Sequence, residues 1–155
     1  MGDGRYFEDF AVGQTFRSKA VRIEKDRMIA FAQEFDPQPQ HVSEQAAAAS
    51  QFGRLVASGW HTAAISMSLF VQNLPPVAGG GQGVGVDSIA WSRPVVPGDE
   101  LRVETEVTAT RVSRSRLDKG LVTVRDRTFN QVGDVVQTVS HTFMAPRRKA
   151  KAGLR

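Results

Sequence analysis

The spacing of hydrophobic residues changes twice in the first third of this 155-residue chain. Gln14 to Glu24 carry a β-branched alternation that predicts a first strand. Over Lys25 to Phe35 the apolar residues recur every three or four positions, which is typical of an amphipathic helix. Ser43 can cap a short second helix over Glu44 to Ser50, and Gly53 is expected to end that helix.

The rest of the chain predicts one long helix followed by antiparallel strands. Gly59 to about Asn73 is apolar almost all round, which indicates a helix that is buried on most sides. Four later segments alternate in polarity or are β-branched, and turn residues separate them: Gly83 to Trp91, Leu101 to Val112, Leu121 to Asn130, and Val135 to Met144. A strand, helices and then consecutive strands predict a single α+β domain.

Composition excludes several classes of protein. With 41% hydrophobic and 23% charged residues, the chain has the make-up of an ordinary soluble globular protein. It contains no cysteine, which excludes disulfides, a catalytic thiol and cysteine-based metal sites and fits a reducing, cytoplasmic location. No segment reaches the roughly 18 uninterrupted apolar residues of a membrane span, and no export signal is recognisable at the N-terminus.

The positive net charge of +4 arises from the C-terminal end of the chain. Residues 147–155 carry five basic and no acidic side chains. We therefore expect a folded domain over residues 1–146 and a disordered basic tail over residues 147–155. No RNA-binding aromatic stripe or zinc-finger spacing accompanies this charge, so nucleic acid is not expected as a partner.

The segment Phe35 to His41, with the sequence FDPQPQH, is the strongest candidate for chemistry. Each proline pushes the residue before it out of the α region, so the segment is expected to be non-helical and stiff. Asp36 and His41 can then converge on one space, where a carboxylate and an imidazole suit acid/base catalysis. Taken alone, these residues are equally compatible with an exposed proline-rich connection.

Three motifs in this order resemble the MaoC-like (R)-specific enoyl-CoA hydratase and dehydratase family. Asp36 to His41 matches the hydratase signature Asp-x-Asn-Pro-x-His, Val56 to His61 is similar to the start of the family's central helix, and Arg93 to Asp99 matches a strand-connecting segment. The resemblance covers nearly the whole chain. It implies a single hot-dog domain, in which a curved antiparallel sheet wraps around a long central helix.

The resemblance also implies a reaction, the reversible addition of water to the 2,3-double bond of an acyl thioester. Asp36 and His41 would hold the water and move its protons, and the backbone N–H of Gly59 would stabilise the thioester oxygen at a helix N-terminus. Gly59 could instead serve only to permit a tight turn, and both roles can hold together. No cofactor is expected apart from coenzyme A as part of the substrate, and no spacing of ligands indicates a metal site.

Several positions depart from the family's common pattern. Gln38 replaces the Asn of the signature, and Ser58 stands where hydratases often carry a His. Some hydratases place an Asp-binding serine at the position of Met67, so either the adjacent Ser66 substitutes for it or another group orients Asp36. Gln38 and Ser66 are therefore included with Gly59 as candidate substrate-site residues.

The other two histidines, His61 and His141, are interpreted as structural. The glycine-rich run Gly79 to Gly83 lacks the lysine of a phosphate-binding loop and is interpreted as a flexible connection. The basic groups considered for the phosphates of coenzyme A are Arg93 and the Arg147 to Lys149 cluster, without an assignment.

The resemblance further implies a homodimer or a dimer of dimers, with an acyl-CoA or acyl-carrier thioester as substrate. Two other functions stay open. A hot-dog thioesterase typically places its carboxylate on the central helix, but Trp60 to Asn73 contains no Asp or Glu. A non-catalytic acyl-thioester-binding protein would bind acyl-CoA tightly without turning it over.

Overall fold

The computed structural model describes residues 4–149 and confirms the predicted α+β class. A 3-10 turn at Phe7–Asp9 precedes four helices and six strands in this part of the chain. The helices are α1 (Lys25–Phe35), α2 (Pro39–Val42), α3 (Glu44–Ala48) and α4 (Gly59–Asn73). The strands are β1 (Thr15–Arg17), β2 (Val21–Arg22), β3 (Gln82–Trp91), β4 (Glu100–Val112), β5 (Lys119–Phe129) and β6 (Val135–Pro146).

The six strands form one curved antiparallel sheet in the order β1-β4-β5-β6-β3, and β2 pairs with the start of β4. Consecutive pairing of β4, β5 and β6 follows from the short turns between them. Among the described residues β3 pairs only with β6, so its other edge is open.

The single N-terminal strand predicted over Gln14 to Glu24 is wrong, because two short strands occupy this segment. Ser18 lies between them. Its backbone N–H donates to the carbonyl of Val103 at 2.9 Å, while its side-chain oxygen accepts the N–H of Val103 at 2.8 Å. The side chain of Ser18 thus takes the place of its backbone carbonyl and interrupts the backbone hydrogen bonding to β4.

The core lies between the helices and the sheet. Phe70 of α4 packs in one cluster with Val107, Val122 and Phe143 of the sheet. Met28 of α1 lies in a second cluster, which anchors the helix that precedes the proline-rich segment. The bounds of α1 and α4 agree with the sequence prediction.

Burial of α4 on most sides is not observed. Trp60, Met67 and Val71 are exposed to 57%, 45% and 62% and form one stripe along the helix. The sheet covers the opposite face, on which Leu69 and Phe70 are buried. An apolar stripe therefore lies open on the protomer.

Two local predictions for the segment after α1 need correction. The segment from Asp36 to Gln38 is non-helical as expected, but Pro39 begins the short helix α2. Proline suits the first helical position because its missing N–H would have no intrahelical acceptor there. Ser43 caps α3 as predicted, with its hydroxyl accepting the N–H of Ala46, but α3 ends at Ala48, well before Gly53.

The predicted basic tail begins in an ordered segment. The N–H of Arg147 donates to the carbonyl of Asp118 at 2.8 Å, and the guanidinium of Arg148 donates to Asp9 at 2.7 Å. Residues 150–155 lie outside the described part of the chain, so disorder there stays a prediction. No helix between residues 4 and 149 is long and apolar enough to cross a membrane.

Candidate active site

The structure brings Asp36 and His41 together at the end of α1. Asp36 follows the last residue of α1, and His41 lies in α2. A tight turn joins them, because the N–H of Gln38 donates to the carbonyl of Asp36 at 2.8 Å and the N–H of His41 donates to that of Gln38 at 2.9 Å. The distance between Asp36 Oδ2 and His41 Nε2 is 3.5 Å, and both side chains are largely buried.

Two side chains hold the carboxylate of Asp36. The hydroxyl of Ser58 donates to Oδ2 at 2.6 Å, and the amide of Gln38 donates to Oδ1 at 2.8 Å. The hydrogen bond from Ser58, followed by that from Gln38, lowers the pKa of Asp36; burial opposes this shift and the proximity of His41 adds to it. Asp36 is therefore ionised at neutral pH.

The tautomer of His41 follows from its contact with the main chain. Its Nδ1 lies 2.8 Å from the carbonyl oxygen of Val56, which can only accept a hydrogen bond. Nδ1 therefore carries a proton, and in the neutral ring Nε2 presents a lone pair. Because Asp36 Oδ2 is also an acceptor, the pair is suited to a molecule that donates to both atoms.

Gly59 begins α4 beside this pair. The hydroxyl of Ser58 accepts the N–H of Trp60 at 3.2 Å, and the carbonyl of Ser58 accepts the N–H groups of His61 and Thr62. The N–H of Gly59 has no intrahelical acceptor, as expected for the first residue of a helix. It is thus the group that the helix N-terminus can offer to a ligand.

The open question of why position 59 is glycine has a structural answer. A Cβ built on Gly59 would lie 2.5 Å from Cε2 of Trp91, closer than any side chain tolerates. The indole of Trp91 thus lies directly against the main chain at the start of α4. Glycine permits this contact, and the contact is compatible with a role of the N–H in substrate binding.

A pocket of about 510 Å³ surrounds these groups. Asp36, Gln38, His41 and Gly59 line it together with Trp60 and Trp91. Arg93 also lies on its wall and is 3.5 Å from Asp134. The pocket therefore combines an acid/base pair, a helix N-terminus and two aromatic walls.

Ser66 lies outside this pocket, on the wall of a neighbouring cavity. Its hydroxyl is 2.7 Å from that of Thr128 in the interface between α4 and β5, and it does not line the pocket of Asp36. Of the two alternatives, Ser66 as the Asp-binding serine is therefore wrong, and another group orients the carboxylate of Asp36: Ser58 and Gln38 bind it. Ser58 was missed as a site residue, although serine directly before the glycine of a long helix is a recognisable N-cap signal.

The remaining histidines also lie outside this pocket. His61 stacks on Phe31 with ring centroids 4.8 Å apart, and burial, followed by the charge of Arg27, lowers the pKa of His61. His141 Nε2 lies 2.7 Å from Asp126 Oδ2 in the buried face of the sheet. This second Asp–His pair was not recognised in the sequence, because its partners lie on different strands.

Comparison with known proteins agrees with the geometry. The MaoC like domain model matches residues 9–131. The crystal structure of a MaoC-like dehydratase from Rhodospirillum rubrum has a TM-score of 0.88 and 48% identity, covering 95% of this chain and 100% of that chain.

Two curated relatives cover most of the chain. YdeM of Bacillus subtilis, which is uncharacterised, is 36% identical over 124 residues, or 80% of this chain and 86% of that protein. The (R)-specific enoyl-CoA hydratase of Aeromonas caviae is 33% identical over 109 residues, which are 70% of this chain and 74% of that protein. The fold is thus the hot-dog fold, and the chain belongs to the MaoC-like domain family, which includes (R)-specific enoyl-CoA hydratases.

Proposed function

We propose that the protein catalyses the reversible hydration of a 2-enoyl thioester to the (R)-3-hydroxyacyl thioester, with coenzyme A as the carrier. The observation that carries this proposal is the pairing of ionised Asp36 with His41 Nε2 at 3.5 Å in the wall of the pocket. Membership of a family that includes hydratases supports the reaction class.

The pair is suited to binding a water molecule. A water can donate one hydrogen bond to Asp36 Oδ2 and the other to neutral His41 Nε2, and its oxygen lone pairs then point away from both acceptors. The water oxygen forms a bond to C3 while the C2–C3 π bond breaks. One water proton passes to C2 by way of the pair, so the pair returns to its starting state.

The main chain of Gly59 supplies the group that stabilises the thioester oxygen. As water attacks C3, negative charge develops on the thioester oxygen. The N–H of Gly59 and the dipole of α4 stabilise an anion at this position. Trp60 and Trp91 line the same pocket beside this N–H.

The arrangement disfavours thioester hydrolysis. A carboxylate on the central helix is absent, since Gly59–Asn73 contains no Asp or Glu. Binding without catalysis is the remaining alternative, because the contacts of Gln38 and Ser58 with Asp36 differ from the family's common pattern.

We also propose that the protein forms a homodimer through β3, alone or as part of a dimer of dimers. Strand β3, whose edge is open, bears the exposed side chains Val84 and Val86. The apolar stripe of α4 is a further exposed apolar surface that a partner could cover. Pairing of two β3 edges would satisfy unpaired backbone groups and cover apolar surface.

The decisive experiment is the hydration of crotonyl-CoA, followed by loss of the enoyl-thioester absorbance. Asp36→Asn and His41→Ala are each expected to lower kcat by roughly 10²- to 10⁴-fold while circular dichroism and thermal unfolding show a folded protein. Chiral analysis of the product is expected to give the (R)-3-hydroxy isomer. Tight binding of crotonyl-CoA without turnover by the wild type would establish the non-catalytic alternative.

A further inference from the structure

A second cavity of about 560 Å³ lies next to the candidate active site. It is an open cleft between one flank of α4 and strands β3, β5 and β6, and Trp60 lines both it and the first pocket. Most of its lining is apolar, including Ala63, Met67, Ile89 and Val139. The cavity is therefore placed to receive the acyl group of a thioester whose reacting atoms lie beside Asp36 and His41.

Three residues of β6 mark the length of this cavity. Gln137, Val139 and His141 all line it, because alternate residues of a strand face the same side. At 3.3–3.4 Å per residue, Gln137 and His141 are about 13 Å apart. Gln137 pairs with Trp91, which lines the first pocket, so Gln137 marks the end nearer the reacting atoms.

Gln137 offers an unused hydrogen-bond donor. Its side chain is fully buried, and its Oε1 accepts the indole N–H of Trp91 at 2.9 Å. An indole nitrogen can only donate, so this contact determines which end of the amide faces Trp91. The amide nitrogen Nε2 is left without a partner among residues 4–149. A buried donor without an acceptor is costly, so a ligand that supplies an acceptor is favoured.

The far end of the cavity is also polar. The buried Asp126 accepts hydrogen bonds from Thr105 and from His141, and both Asp126 and His141 line the cavity. Asp126 and His141 are hydrogen-bonded to each other and already buried, so neither needs a hydrogen bond from a ligand.

We propose that the substrates are 2-enoyl thioesters that carry an oxygen substituent on the acyl group, and that Gln137 Nε2 donates a hydrogen bond to this oxygen. The inference rests on the hydratase function proposed above and adds the class of acyl group. Gln137 is then a specificity-determining residue, since it contacts the acyl group and not the reacting atoms.

The test compares pairs of CoA thioesters of equal size. In each pair a hydroxyl replaces a terminal methyl: 4-hydroxycrotonyl-CoA with 2-pentenoyl-CoA, and 5-hydroxy-2-pentenoyl-CoA with 2-hexenoyl-CoA. For wild-type protein, kcat/KM is expected to be at least about tenfold higher for the hydroxylated member of one or both pairs, since a buried donor discriminates against a substrate without an acceptor.

Two variants separate recognition from folding. Gln137→Met removes the donor at similar size, and Gln137→Glu removes the donor but keeps an acceptor for Trp91. Both are expected to lose the preference for the hydroxylated substrate while retaining turnover of 2-pentenoyl-CoA. If only Gln137→Met unfolds on thermal denaturation, Gln137→Glu still reports on the preference.

The outcomes also distinguish this inference from the proposed reaction. Turnover of all four enoyl thioesters with no advantage of a hydroxyl in either pair overturns the acyl-group proposal and leaves the hydratase function intact. Absence of turnover with every substrate contradicts the hydratase function. In that case, the acyl-group proposal is decided by the affinities of the saturated analogues, measured by calorimetry. Equal affinity of the hydroxyl-ended and methyl-ended analogues overturns it. Tighter binding of the hydroxyl-ended analogue supports it, provided that Gln137→Glu abolishes this difference.

Discussion

The hydroxyl of Ser58 donates to Asp36 Oδ2 at 2.6 Å and accepts the N–H of Trp60 at 3.2 Å. One side chain thereby links the candidate acid/base residue to the first turn of α4, which presents the N–H of Gly59. Because Ser58 is fully buried, water cannot readily take over either hydrogen bond. Ser58 is thus a positioning residue for both parts of the site.

Ser58→Ala is expected to raise the pKa of Asp36, since the largest cause of its lowering is removed. If catalysis needs the ionised carboxylate, the acid limb of kcat/KM moves to higher pH and kcat falls. Loss of the N-cap lowers the free energy of unfolding by about 1 kcal/mol. pH–rate profiles and denaturant titration measure these effects.

Ser43→Ala is the matched control for this variant, because Ser43 caps α3 through the N–H of Ala46 and has no contact with Asp36. It should lower stability by a similar amount without moving the acid limb. An identical pH profile for Ser58→Ala and wild type would contradict the positioning role.

Gly59→Ala is expected to displace Trp91, because the new Cβ would lie 2.5 Å from the indole. Overpacking of this kind costs about 1–3 kcal/mol of unfolding free energy, and hydration activity should fall with it. Gly81→Ala is the control, since its Cβ would make only ordinary contacts, at 3.6 Å or more. If Gly59→Ala has the same stability and tryptophan fluorescence as the wild type, the contact between position 59 and the indole of Trp91 is not tight.

The stability of the protein is expected to fall as the pH drops below about 6.5, the ordinary pKa of histidine. Burial lowers the pKa of His61 in the folded state, so the unfolded chain binds a proton first. The resulting loss of unfolding free energy is absent at pH values above the pKa of His61 in the unfolded chain. It grows as the pH falls, until the pH reaches the lower pKa of His61 in the folded protein. His61→Phe, which preserves stacking on Phe31, should flatten this dependence in denaturant titrations at pH 8 and pH 5. An unchanged slope would show that His61 does not titrate differently in the two states.

The proposed dimer is testable at Val86, which is 61% exposed on the open strand β3. Val86→Lys should shift the protein from dimer to monomer in sedimentation velocity, because burial of an unpaired ammonium group is unfavourable. Val132→Lys in the β5–β6 turn, where Val132 is 72% exposed, should leave the oligomeric state unchanged. A monomeric wild type would contradict the assembly.

Local signals in the sequence were sufficient for the elements whose neighbours along the chain decide their structure. The apolar spacing of Lys25–Phe35 and the apolar run of Gly59–Asn73 predicted both helices with the observed bounds. The two prolines correctly placed a break after Phe35, which brings Asp36 near His41. The helix at Pro39 was missed because the same residue that ends one helix is also well suited to begin another.

The sequence by itself therefore determined the α+β class, the long helix and the break after Phe35, since periodicity and backbone restriction act over a few residues. Tertiary structure decided which groups complete the site. Ser58 lies 22 positions from Asp36 and Gln137 lies 46 positions from Trp91, so no local pattern indicates either contact. Ser66 and the Asp126–His141 pair likewise took their partners from how α4 and the strands pack, because pairing across a sheet depends on register and not on spacing along the chain.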